Sequence, residues 1–148
     1  MARFEPDPSL DYRAHPEHYV YSPDERGVFK VHPYKEELLP HWTFRDVESA
    51  TRSITALKEQ FEKYREDEDF VGMDMARKYV QMGFTRAMRY AKYPGGRKYN
   101  EDGSQREAQT WADAEKRQVA ILYRDALATL REDATYEALL AAHRAASA

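Results

Sequence analysis

The chain has 148 residues, a length that fits one domain and not two. It carries 23 basic against 26 acidic residues and no cysteine, which excludes disulfides, thiolate nucleophiles and cysteine-based zinc sites. No apolar run approaches the ~18 residues of a membrane span, and the opening MARFEPDPSLDY has no hydrophobic signal-peptide region, so the expectation is a soluble cytoplasmic protein with no membrane partner.

Ile, Leu, Val and Phe total only 24 of the 148 residues, so tyrosine, methionine and alanine must carry much of the packing. That composition suits close-packed helices better than a Val/Ile-rich sheet. Residues 1–17 hold Pro6, Pro8 and Pro16 among charges and show no periodicity. They read as an N-terminal arm, either laid over the domain or mobile, ahead of a single helical domain over 18–148. Two β-prone runs, 18–21 and 28–32, flank the turn-rich SPDERG and predict a small β-hairpin. PYKEELLPHWTF then supplies core anchors in Leu38, Leu39, Trp42 and Phe44.

From Asp46 to about Asp67, Val47, Ala50, Ile54, Leu57, Phe61 and Tyr64 recur at 3-4 spacing, the seam of a packed helix with Asp46 as its N-cap. The acidic run at 66–69 suits the start of the next helix, because carboxylates favour the positive end of a helix dipole. That second helix runs from about Phe70 to Tyr93 and stops at Pro94-Gly95-Gly96. Met73, Ala76, Val80, Phe84, Ala87 and Ala91 share one face, with Gly83 on the same side to let a neighbouring helix approach. Lys98–Ser104 reads as a polar loop. A third helix from about Gln105 to Arg131 places Trp111, Ala114, Ile121, Leu122, Ala126 and Leu130 inward, and a last one, from Tyr136 to about Arg144, buries Leu139 and Leu140. The fold class is mainly α, a three- to four-helix bundle with a small N-terminal β-hairpin.

Charge is segregated along this chain. Residues 75–100 hold seven basic residues and no acidic one, leaving 16 basic against 26 acidic elsewhere. On a helical wheel Lys78, Arg86, Arg89 and Lys92 lie opposite the apolar face, continued by Arg97 and Lys98, while Arg77 projects away from them. A helix built only for solubility mixes signs, and this one does not. Clustered Arg and Lys release counterions from a phosphate backbone, and Tyr93 and Tyr99 are candidates to stack on bases. The plainer alternatives are a solvated surface, or internal ion pairs to Glu48, Glu59, Glu62 and Glu66 of the first long helix.

No catalytic motif accompanies the patch. PGGRK lacks the spacing of a phosphate-binding P-loop and reads as a helix stop. Glu66, Asp67, Glu68 and Asp69 diverge around a helix start rather than converge on a cation, and Asp74 sits one turn before Lys78, a natural pair. His15 and His18 have no evident third ligand, so no metal and no cofactor are expected. Three readings follow. The first is a non-catalytic nucleic-acid-binding, DNA- or RNA-binding protein. The second is an adaptor or homodimer docking an acidic protein partner through the same face. The third is a small phosphoryl-chemistry enzyme with Asp69 or Asp74 facing Arg86 or Arg89.

At PYKEELLPHWTF and at DFVGMDMARKYVQMGFTRAMRYAKYPGGRKY the sequence resembles the uncharacterised family catalogued as domain of unknown function 4385, of small bacterial and phage proteins. The similarity covers roughly residues 18 to 143. The resemblance implies a cytoplasmic, single-domain, phage-related protein with this basic helix at its core, and carries no activity with it.

Overall fold

The computed structural model describes residues 5–108 and 113–147. Among them the chain forms five α-helices and no strand: α1 (Tyr34–Leu38), α2 (Val47–Glu66), α3 (Phe70–Lys92), α4 (Ala114–Arg131) and α5 (Ala134–Ala146).

α2 begins where its cap dictates. The Asp46 carboxylate accepts the Ser49 N–H at 2.7 Å, and this bond holds its pKa down to about 2. Ala50, Ile54, Leu57, Phe61 and Tyr64 are buried along the 3-4 seam. At the far end Glu68 adopts φ 52°, and the Asp69 N–H reaches back to the Tyr64 carbonyl at 2.8 Å, which closes the helix end. Asp69 then caps α3 through the Gly72 N–H at 3.1 Å. The chain thus reverses in three residues, and α2 and α3 pack as a helical hairpin.

α3 is the centre of the molecule. Every residue from Phe70 to Val80 is buried, on all sides of the helix. The single apolar face predicted for it exists only after Gln81; before that α2, α4, α5, α1 and the 19–31 segment enclose it. Its most extensive neighbour is α4, and Gly83 makes the contact possible: a Cβ there would stand 2.4 Å from Tyr123 Cε1. Tyr123 itself is fully buried, its hydroxyl donating to the Thr43 carbonyl at 2.6 Å and 2.8 Å from Ser53 Oγ.

The predicted N-terminal hairpin is absent. Residues 18–32 carry one isolated bridge, between Asp11 and His32, and no strand pairing. The carbonyls of the predicted turn, and that of Val28 in the second predicted strand, are met instead by side chains of α3, and the Tyr19 carbonyl of the first lies 2.6 Å from His143 Nε2. Arg77 donates to Ser22, Pro23 and Asp24, Lys78 to Arg26, Tyr79 to Val28, and Gln81 to Pro23. A backbone whose acceptors are filled this way has no need of a partner strand. The preceding arm lies on the domain: Tyr12 is buried, its N–H bonded to the His32 carbonyl at 2.9 Å, and Arg13 clamps Glu37 at 2.7 and 2.8 Å.

The third helix starts at Ala114, capped by Asp113, and not at Gln105. Residues 98–106 fold instead into a hairpin-like turn, with the Asn100 N–H on Ser104 and the Arg106 N–H on Lys98, both at 2.8 Å. Trp111 lies outside the described residues. The inward face of α4 is also rotated from its expected position. Val119, Ala120, Tyr123 and Leu127 are buried with Ala126 and Leu130, whereas Ile121 and Leu122 are half-buried and Ala114 is exposed. α5 buries Tyr136 and leaves Leu139 and Leu140 half-buried.

Candidate nucleic-acid interface

The seven basic residues of 75–100 divide into three groups. Arg77 and Lys78 form the first, and they are structural. Lys78 is wholly buried, which removes it from the exposed face on which the helical wheel had placed it. Its ammonium donates to Ser22 Oγ at 3.0 Å and to the Arg26 carbonyl at 2.6 Å, and burial pushes its pKa down to about 8. Asp74 is bonded to Arg77, whose Nη2 and Nε lie 2.7 and 3.1 Å from Asp74 Oδ1. The Tyr136 hydroxyl adds a bond to Oδ1 at 2.7 Å, and the Tyr19 hydroxyl binds Oδ2. Burial, ahead of the neighbouring carboxylate, drives the Tyr19 and Tyr136 hydroxyls well above their ordinary pKa. This network pins the N-terminal segment and α5 to α3 and leaves no open face for a ligand.

Arg86 is a group of its own. It lines a cavity of about 480 Å³ between α3 and residues 25–30, apart from the other basic residues of the patch.

Arg89, Lys92, Arg97 and Lys98 make the third group. Arg89, Lys92 and Lys98 line a shallow cleft of about 200 Å³ floored by Met88 and Tyr93. Tyr93 is mostly buried there, its hydroxyl 3.3 Å from Gln105 Nε2, so it is not the open stacking face expected of it. Tyr99 is 58% exposed on the hairpin-like turn. Arg97 is exposed, and its carbonyl takes a bond from Arg106, which ties the start of the turn to its end. The glycines between helix and turn are required by geometry. Gly95 and Gly96 have φ of 64° and 71°, and a Cβ on Gly96 would strike the Tyr90 ring at 2.7 Å.

Neither Arg86 nor any member of the third group forms an ion pair with a described residue. The acidic residues of α2 are directed elsewhere: Glu48 binds Arg52, while Glu59, Glu62 and Glu66 are exposed without a partner on α3. Two of the free cations, Arg89 and Lys92, occupy the last turn of α3. The partial negative charge at that helix end stabilises them, which allows the helix to carry unneutralised positive charge.

The remaining candidates are occupied by structural roles or stand alone. Asp69 caps α3 and accepts the Tyr34 hydroxyl at 2.6 Å, and neither it nor Asp74 lines a cavity with Arg86 or Arg89. His15 and His18 are exposed, and among the described residues no three His, Asp or Glu side chains gather where a metal ion could be held. No described helix is long and apolar enough to cross a membrane. Arg77, at the edge of the helical wheel, is buried against the 22–24 carbonyls, a role that no local pattern in the sequence signals.

A family model described as "Domain of unknown function (DUF4385)" matches residues 4–146. No curated protein and no solved structure matches the chain.

Proposed function

Because the chain belongs to the DUF4385 family, from which no activity carries over, we propose from its geometry that it is a non-catalytic nucleic-acid-binding protein contacting phosphates through Arg89, Lys92, Arg97 and Lys98. One observation carries this reading. These four cations lie on one helix end and the adjoining turn, and make no ion pair with any described residue. An anion that docks there displaces mobile counterions rather than protein carboxylates, so the whole gain of counterion release goes to binding. Tyr99, exposed beside Lys98, offers a ring on which an unpaired base can stack. Arg89 and Arg97 supply the forked donors that suit phosphate oxygens. Binding of this kind is sensitive to salt and weakly selective for sequence. An electrophoretic shift at low salt with short duplex DNA, single-stranded DNA and RNA tests it; absence of retention for all three rejects it.

A second reading draws on the exposed acidic side of α2, where Glu59, Glu62 and Glu66 form no ion pair with a described residue. That side could receive the basic end of α3 from another copy. Light scattering at low and high salt separates the two, since a self-associating protein changes mass with salt in the absence of nucleic acid.

A further inference from the structure

Arg86 faces a different environment from its basic neighbours. The cavity that it lines, about 480 Å³, falls within the range of small-ligand sites, roughly 300–1,000 Å³. Its wall is charged in both senses: Lys30 and Arg86 on one hand, Glu5 and Glu25 on the other. Arg26, also on the wall, is taken up by Asp24 at 3.3 Å, whereas Lys30 and Arg86 have no acidic partner among the described residues. Glu25 Oε1 is sealed from solvent, so a ligand in the cavity does not reach that oxygen. Phe29 stands on the same wall and is 46% exposed, one of three large apolar side chains so open to solvent among the described residues.

Two free cations and an open aromatic ring on one cavity wall together describe a ligand. It carries a dianionic end and a flat ring. We propose that the cavity between residues 25–30 and α3 binds a nucleoside 5′-monophosphate, phosphate on Arg86 and Lys30 and base against Phe29. Guanine is favoured over uracil, because a purine offers Phe29 the larger stacking face. The site is independent of the nucleic-acid surface, since Arg89, Lys92 and Lys98 do not line it.

Calorimetric titration of the full chain with GMP, UMP and inorganic phosphate tests this. GMP is expected to bind more tightly than UMP, and both more tightly than phosphate. Arg86→Ala should weaken GMP by about tenfold or more, the scale of one lost charge-assisted contact. Lys30→Ala, at an exposed position, repeats that test should Arg86→Ala lower the melting temperature. Phe29→Ala should erase the preference for GMP over UMP, and Arg89→Ala with Lys92→Ala should leave GMP binding unchanged. Absence of heat with GMP overturns the assignment, as does binding no tighter than phosphate or GMP affinity indifferent to both Arg86→Ala and Lys30→Ala. Loss of GMP binding on Arg89→Ala with Lys92→Ala would move the site to the other surface. A failed gel shift alone would touch only the nucleic-acid reading.

Discussion

Arg77 Nη2 lies 2.7 Å from Asp74 Oδ1, one turn back on the same helix, with both side chains shut off from solvent. The pair is a hub. Asp74 also receives the hydroxyls of Tyr19 and Tyr136, and Arg77 also fills the carbonyls of Ser22, Pro23 and Asp24. Part of the charge anomaly in 75–100 therefore serves folding.

Asp74→Ala should be among the most damaging single substitutions. It strands a buried guanidinium and two buried hydroxyls, and loss of one partner of a buried ion pair costs about 3–5 kcal/mol. Urea unfolding of the two proteins measures the difference. A loss below about 1 kcal/mol, the scale of an exposed pair, would mean that the network is solvated.

Lys78 makes stability depend on pH in an unusual direction. Its pKa is depressed by burial to about 8 against an ordinary 10.5, with Asp74 and Asp24 opposing the shift and Arg77 and Arg26 adding to it. Below the folded value both states are protonated and the penalty is complete. As pH rises through 8 toward 10.5, the folded chain releases the proton while the unfolded chain keeps it, so stability rises. Tyrosines with raised pKa act oppositely near pH 10, which makes comparison with Lys78→Met the informative one. Between pH 7.5 and 9.5 the wild type should gain on the order of 1–2 kcal/mol relative to that variant. Parallel profiles for the two would show that Lys78 is hydrated.

Gly83→Ala should destabilise despite the better helix propensity of alanine, worth about 1 kcal/mol. The new methyl group meets the Tyr123 ring, which cannot swing away because Thr43 and Ser53 hold its hydroxyl. A net loss of about 2 kcal/mol is expected from overpacking. An increase in thermal midpoint would show that α3 and α4 are looser than this contact demands.

Helix ends and close approaches were legible in the sequence because they depend on local chemistry. Asp46 and the Pro94-Gly95-Gly96 stop state the bounds of α2 and α3, and Gly83 in an apolar face announces a close neighbour. What failed depended on partners distant in the chain. A helical wheel assumes one buried side, and so it exposed Lys78, which residues 22–28 cover from behind. The β-prone runs at 18–21 and 28–32 promised a hairpin, but propensity does not reveal that Arg77, Lys78, Tyr79 and Gln81 take the carbonyls of the intervening turn and of Val28. The basic patch was legible as charge and not as a surface: of the six cations expected on one face, Arg89, Lys92 and Lys98 line one cleft, Arg97 is exposed on the adjoining turn, Lys78 is buried and Arg86 lines another cavity.

Phosphate binding by the unpaired cations at the end of α3 is read out by fluorescence anisotropy of a labelled oligonucleotide. The wild type and Arg89→Glu with Lys92→Glu would be titrated over a range of salt. Both positions are exposed, so the variant should melt as the wild type does. The wild type is expected to bind at low salt and to lose affinity with a log–log slope of about −3 on duplex DNA, as three or four phosphate contacts require. The variant should show no binding under the same conditions. Equal binding by the two proteins, or a wild-type affinity indifferent to salt, would rule out phosphate binding at these cations.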